Sequence, residues 1–243
     1  MCTSRFSKAE SPTDLTSART MEHRRTAAEA SGGISSDAIY ACIEQLILKE
    51  NLIGKIFDYG AGMGHMTRRL LACQRFEHVA AADITGIPSD LEGIVEWIQQ
   101  DLNMPLTGHD EAFGTVVAVE VIEHLENPRM VMRELSRTLI PGGTIILTTP
   151  NNESLRSLAA LLVRGHYVAF GDSCYPAHIT PLLRKDFTRI CEEVGLLPPE
   201  FYFSGVGGIP GKPSITWQRV SFGLFRGLRF SDNIVAVARK PYR

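Results

Sequence analysis

The stretch that most constrains the fold is residues 55–64, KIFDYGAGMG, an apolar run that ends in an acid and then places glycine at 60, 62 and 64. The run reads as a buried strand. The glycines read as a turn whose backbone takes positive φ and lets a ligand approach more closely than any Cβ allows. Residues 65–73 are helix-compatible, so the turn delivers the N-terminus of a helix toward that ligand.

Strands and helices alternate after this turn. HVAAAD (78–83) and IVEWIQQDL (94–102) read as strands leading to Asp83 and Asp101. FGTVVAVE (113–120) is nearly continuous in apolar residues, as expected of a strand buried on both faces. A helix, the turn Pro141-Gly142-Gly143 and a strand at 144–150 (TIILTTP) follow. Alternation at these lengths predicts a parallel α/β sheet. Before it, Ser35 or Ser36 caps a helix over 37–50 with Ile39, Ile43, Leu46 and Ile47 on one face.

The third glycine comes one residue too early for the dinucleotide fingerprint G-x-G-x-x-G. Instead, DYGAGMG resembles the first motif of class I S-adenosylmethionine-dependent methyltransferases. The resemblance covers residues 35–150 well and the C-terminal third only loosely. It implies an α/β fold with a Rossmann-like, seven-stranded, mostly parallel sheet and helices on both faces, completed by an antiparallel pair at 200–204 and 233–239. It implies S-adenosylmethionine as cofactor, with Asp58, Gly60, Ala61, Gly62 and Gly64 around its methionine part. Asp83 and Ile84 would then meet the ribose, Asp101 and Leu102 the adenine, and Glu120 would close the pocket.

At the end of the fourth strand, EVIEHL supplies Glu120, Glu123 and His124. A helical bend there brings residues three and four apart to one side. Two carboxylates and an imidazole form a hard-ligand set for a divalent cation of the magnesium kind. The string resembles two groups within the family, the ubiquinone-pathway O-methyltransferases and the small-RNA 2'-O-methyltransferases. In the second group a further histidine, followed by Arg and Phe at set distances, completes a metal site. His178, Arg184 and Phe187 in HITPLLRKDF match that spacing, and TTPNNE at 148–153 fits the same group. The resemblance therefore implies Glu120, Glu123, His124 and His178 as metal ligands and Glu123, His124 and His178 as catalytic. The structural alternative makes the first acid a wall of the cofactor pocket and the histidine a packing residue. Without a metal, His124 or His178 serves as general base.

Residues 1–33 form an N-terminal extension, either disordered or folded as a lid helix over 20–30; residues 34–243 form the methyltransferase domain. Insertions at 151–180 and 205–230 are candidate substrate walls. The second belongs to a segment, 201–230, with seven aromatics, Lys212, Arg219, Arg226 and Arg229, and no acid. Helical spacing puts Trp217, Val220, Leu224 and Leu228 on one face, with Arg219 and Arg226 opposite. A helix over 213–230 would lie on an anionic membrane, cover a greasy substrate, or pack on its own core.

The net charge of -2 carries no global signal for nucleic acid. Five cysteines without C-x-x-C spacing read as reduced thiols of a cytoplasmic protein, with peripheral membrane contact left open. There is no apolar signal-peptide core and no window of roughly 18 apolar residues for a membrane span. The leading expectation is O-methylation of a small-molecule or lipid-linked hydroxyl. RNA ribose methylation, N-methylation of a small molecule and non-catalytic cofactor binding are the alternatives. The glycine spacing excludes a nicotinamide oxidoreductase.

Overall fold

A computed structural model of the chain describes residues 12–242, with side chains from residue 19 onward. Two helices, α1 (Pro12–Ser31) and α2 (Asp37–Lys49), precede the sheet. α2 buries Ile39, Tyr40, Ile43, Leu46 and Ile47, the stripe its spacing predicts. Ser36 occupies its N-cap position without a side-chain capping bond. No side chain of α1 between residues 19 and 31 is buried.

The strand of the glycine motif is β1 (Gly54–Tyr59), followed by α3 (His65–Ala72), β2 (Phe76–Asp83), β3 (Glu96–Gln99) and β4 (Phe113–Val119). Then come α4 (Pro128–Thr138), β5 (Leu139–Pro150), α5 (Leu155–Arg164), α6 (Arg184–Glu193) and β6 (Glu200–Phe203). A small hairpin of β7 (Gly208–Ile209) and β8 (Lys212–Thr216), a single helical turn α7 (Trp217–Val220) and β9 (Asn233–Arg239) complete the described chain.

The main sheet has seven strands in the order β3-β2-β1-β4-β5-β9-β6. β3 through β5 pair in parallel, and β9 runs antiparallel between β5 and β6. This is the Rossmann-like, mostly parallel sheet that the sequence predicts. Its strand order reverses between β1 and β4, and the crevice outside the carboxyl ends of those strands is where such sheets bind ligands.

The apolar strands sort their side chains by the pleat. β1 sends Phe57 and Tyr59 to one face and Ile56 to the other. β4 does likewise, with Val116 and Ala118 opposed to Val117 and Val119. α4 (Val131, Met132, Leu135) and α6 (Phe187, Ile190, Cys191) cover the first face. α2 and α3 (Met66, Leu70) cover the second. Because both faces are covered, the strands show no polar alternation.

The helix expected over 213–230 does not form. β8 is extended and pairs with β7, and only Trp217–Val220 make a helical turn. Phe222, Gly223 and Gly227 then take φ of 51°, 83° and 79°, values that end any right-handed helix. Trp217, Phe225 and Phe230 instead gather into one aromatic cluster, with ring centroids 4.7 to 6.0 Å apart.

Phe57 is fully buried and stacks on Phe113 at 4.8 Å in the middle of the larger core. Phe57→Ala is expected to cost about 3–5 kcal/mol in urea unfolding, the range for emptying such a site. A loss below about 1 kcal/mol would show that this face is not the one holding the sheet.

Candidate active site

The glycine turn is folded back onto the end of β2. The Gly60 and Ala61 amides donate to the Ala82 carbonyl at 2.8 and 3.1 Å, and the Gly62 amide donates to Asp83 Oδ2 at 2.7 Å. The requirement for glycine is steric as well as conformational. A Cβ on Gly60 would lie 2.3 Å from Val121, and one on Gly62 would lie 2.7 Å from the Gly33 carbonyl. Gly33, in the link between α1 and α2, thus rests directly on the turn, and its carbonyl accepts the Met63 amide at 3.2 Å.

Beside this turn opens a cavity of about 990 Å³ at the carboxyl ends of β1, β2 and β4. That volume is at the upper end of the range for ligand pockets, about 300–1,000 Å³. Asp58, Gly60, Ala61, Gly62, Asp83, Ile84, Asp101, Leu102 and Glu120 all line it. Gly64 does not: it caps α3 and faces Leu91 and Pro88 instead.

Each acid is held by its own donors. Asp58 accepts the Thr67 hydroxyl at 2.6 Å, and burial, with the Asp83 charge adding, pushes its carboxyl up to about 7. Asp83 Oδ1 accepts the amide and hydroxyl of Thr85, at 2.9 and 2.8 Å. A carboxylate offers about four acceptor positions, so Asp83 keeps capacity for a ligand hydroxyl. Asp101 Oδ1 accepts from the amide and side chain of Asn103, and its Oδ2 accepts Arg24 Nη1 at 2.6 Å.

Arg24 lies on α1 and also grips Glu126 through two bonds of 3.0 and 2.8 Å. With Thr20, His23, Ala27 and Ala28, it brings α1 to the cavity wall. Sequence reading singled out the helix but not this arginine, nor Gly33, nor Tyr40, whose hydroxyl accepts the Ser35 amide at 2.8 Å. Partners up to 102 residues apart leave no local signal.

At the far end of β4 the chain makes a short 3-10 turn, Ile122–His124. Glu123, His124 and His178 converge there, with one ligand atom of each within 4.8 Å of the others. The segment 165–180 is stitched onto the turn, as the Ile179 and Thr180 amides both donate to the Glu123 carbonyl. His124 Nδ1 lies 2.8 Å from the Ala177 carbonyl and His178 Nδ1 lies 2.8 Å from the Ala169 carbonyl. A carbonyl only accepts, so both histidines carry hydrogen on Nδ1; the Nε2 of His178 is left with its lone pair, whereas the His124 ring also meets the Glu120 main-chain carbonyl. Burial holds both imidazoles below their usual range.

Glu123 has no exposed surface; the Thr149 hydroxyl and its own backbone amide lie close to its carboxyl, but neither oxygen completes a well-aligned hydrogen bond among the described residues. Burial, and then the charge of Glu120, raises its carboxyl well above the ordinary value. Glu120 stands apart from this trio. Its oxygens accept the Thr148 hydroxyl and the Asn233 amide, each at 2.9 Å, and burial pushes it up to about 7. Arg184 is likewise elsewhere, paired with Glu153 at 2.9 Å, while Phe187 is a core residue of α6. Tyr175, Pro176, His178 and Ile179 supply the wall of the cavity from the 151–180 insertion.

A family model described as a methyltransferase domain matches residues 30–197. The mitochondrial ubiquinone biosynthesis O-methyltransferase of Dictyostelium discoideum is 39% identical over 129 residues, covering 44% of this chain and 38% of that protein. The chain spans less than half the length of the first curated relatives it matches. Among solved structures, a SAM-dependent methyltransferase from Archaeoglobus fulgidus superposes with a TM-score of 0.56 at 18% identity, covering 85% of this chain and 95% of the other. The 1,6-didemethyltoxoflavin-N1-methyltransferase of Burkholderia thailandensis, bound to S-adenosylhomocysteine, gives 0.59 at 11% identity over 98% and 93% of the two chains.

Two substitutions test the cavity. Asp83→Ala should weaken S-adenosylmethionine binding on the order of tenfold or more by calorimetry, the loss expected for hydrogen bonds to a charged group. Unchanged affinity would move the ribose elsewhere. Arg24→Ala should speed S-adenosylmethionine dissociation in stopped-flow measurements by releasing α1 from Asp101 and Glu126; an unaltered rate would separate α1 from cofactor retention.

Proposed function

Because the chain belongs to the methyltransferase-domain family of S-adenosylmethionine-dependent enzymes, we propose that it methylates a hydroxyl on a small-molecule or lipid-linked acceptor. The observation that carries this reading is the meeting of Glu123, His124 and His178 beside the cavity. An amine acceptor is nucleophilic when neutral and needs only orientation, whereas a hydroxyl must lose a proton in order to react. The Nε2 lone pair of a neutral imidazole, His178 first, is the acceptor for that proton.

S-adenosylmethionine supplies a methyl group on a sulfonium, open to in-line displacement. Asp83 and Asp101 hold the adenosine end, and the turn at Gly60 to Gly62 leaves room for the methionine end. Glu120, fixed by Thr148 and Asn233, walls the space between the cofactor and the trio. His124 and His178 orient the acceptor hydroxyl and take its proton, and Tyr175 and Ile179 form the wall against which the acceptor lies.

The trio also fits a divalent cation. One carboxylate and two imidazole nitrogens are a recurrent donor set, and the Glu123 oxygens, with only the Thr149 hydroxyl and their own backbone amide nearby, complete no well-aligned hydrogen bond of their own. Held by Glu123, His124 and His178, such an ion would supply the Lewis acidity that lowers the pKa of a hydroxyl. Glu120 is the cofactor-side acid in this reading.

The name of the Dictyostelium relative supports an oxygen acceptor. Support for an RNA acceptor is weaker, since Arg184 and Phe187, which completed the match to that group, serve as a partner for Glu153 and as core.

The test is methyl transfer from labelled S-adenosylmethionine to a panel of phenols, catechols, prenylated phenols, amines and short RNAs, with and without chelator. Glu123→Gln and His178→Ala should each lower kcat about 10²- to 10⁴-fold, the usual contribution of a positioned acid or base. Their S-adenosylmethionine affinity should stay near wild type. Transfer to amines alone, or equal losses in turnover and cofactor affinity, would refute the assignment.

A further inference from the structure

The segment after β8 is an acid-free lobe whose interior and exterior are built differently. Inside, Gln218 acts as a brace: its Nε2 donates to the Phe225 and Phe230 carbonyls at 2.9 and 2.8 Å, and its Oε1 accepts the Gly207 amide at 3.1 Å. Trp217, Phe225 and Phe230 pack beneath this brace. The tip is closed by Gly223 N to the Gln218 carbonyl at 2.8 Å and by Phe225 N to Ser221 Oγ at 2.9 Å.

Outside, the same turn presents Phe222 and Leu224, 96% and 83% exposed. Phe222 holds φ of 51°, a conformation that disfavours a bulky side chain. Apolar side chains this exposed, on a loop this well braced, lack the inward role that the aromatic cluster has.

The charge around the tip has one sign. Residues 205–230 carry Lys212, Arg219, Arg226 and Arg229 and no acid. The neighbouring acids Glu153 and Asp232 are engaged by Arg184 and Arg156. Arg226 bonds the Gly223 carbonyl at 2.7 Å, which keeps its guanidinium at the tip. α5, which packs against the 3-10 turn Leu228–Phe230, ends in the exposed Leu162 and Val163, followed by Arg164. Arg229 is turned toward Glu153, whose main-chain carbonyl it bonds at 2.7 Å. This leaves Arg226 at the tip, with Arg219 on the adjoining turn, beside exposed apolar side chains, a combination complementary to a surface that is greasy within and negative at its boundary.

We propose that the 217–230 lobe is a preformed loop that inserts Phe222 and Leu224 into an anionic lipid surface, with Arg219 and Arg226 at the headgroups. The geometry replaces the amphipathic helix that the sequence suggests with a rigid two-residue wedge. The proposal stands without the acceptor assigned above, because lipid binding is read without turnover.

The experiment is flotation of the full chain with vesicles of phosphatidylcholine alone or mixed with phosphatidylserine, at low and high salt. Wild type should float with the mixed vesicles only, and less so as salt rises. Phe222→Asp combined with Leu224→Asp should reduce flotation at least tenfold. Arg219→Ala or Arg226→Ala should each reduce it about fivefold. Phe222→Gly relieves the strained φ, so its thermal midpoint should hold or rise while flotation falls; a lowered midpoint would make Phe222 a structural residue and overturn the proposal. It is also overturned if wild type ignores mixed vesicles, or if the double aspartate variant floats as wild type does. Self-association abolished by that double variant, without any flotation, would assign the patch to a second copy of the chain instead.

Discussion

The hydrogen bond from the Gly62 amide to the Asp83 carboxylate is the contact on which the other features of the cavity depend. It ties the turn after β1 to the end of β2 and fixes the path of the backbone across the sheet's reversal point. The two Gly60-to-Ala61 amide bonds to Ala82 pull in the same direction. With that path set, Gly33 can lie against Gly62 at a distance that no side chain would permit, and the helix before it is delivered to the cavity. A backbone geometry available to glycine therefore decides where an element some thirty residues upstream ends up.

The same edge of the sheet concentrates acids along the cavity wall. Burial pushes Asp58 and Glu120 up to about 7, and burial, then the Glu120 charge, raises Glu123 well above its ordinary value. The fold offsets the first two with hydroxyl and amide donors from Thr67, Thr148 and Asn233. Glu123 has only the Thr149 hydroxyl and its own backbone amide close to its carboxyl, and neither completes a well-aligned hydrogen bond. Buried polar groups are nearly always satisfied, so Glu123, beside two oriented imidazoles, is the least well compensated acid of the three.

Much of the sheet was legible in the sequence, since FGTVVAVE and TIILTTP are largely apolar and β1 runs into glycines that only a tight turn explains. The site was legible where it is local: Glu123 and His124 are adjacent, and the 3-10 turn brings them round together. His178 was reachable only through the family spacing, because nothing near it announces that residues 165–180 are stitched to the Glu123 carbonyl. Arg24 and Asn233 were invisible, as each acts on a partner in a different third of the chain. The 213–230 segment was misread for a definite reason. Spacing of three and four residues fits a helix, but left-handed backbone at Phe222, Gly223 and Gly227 breaks the chain into a turn and a loop. Hydrophobic periodicity reports which residues could share a face, not whether the backbone between them stays helical.

Asn233 has a consequence for how the molecule is made. It belongs to β9, the last strand of the described chain, and its amide is one of the two donors to Glu120. The glycine turn, Asp83, Asp101 and both histidines therefore precede Asn233 in synthesis, and Glu120 gains its second donor only once β9 is in place. Without β9 between β5 and β6 the sheet lacks its antiparallel strand and β6 its partner. A chain stopped short of β9 would carry nearly all the side chains that line the cavity but not the strand that holds Glu120 at its wall.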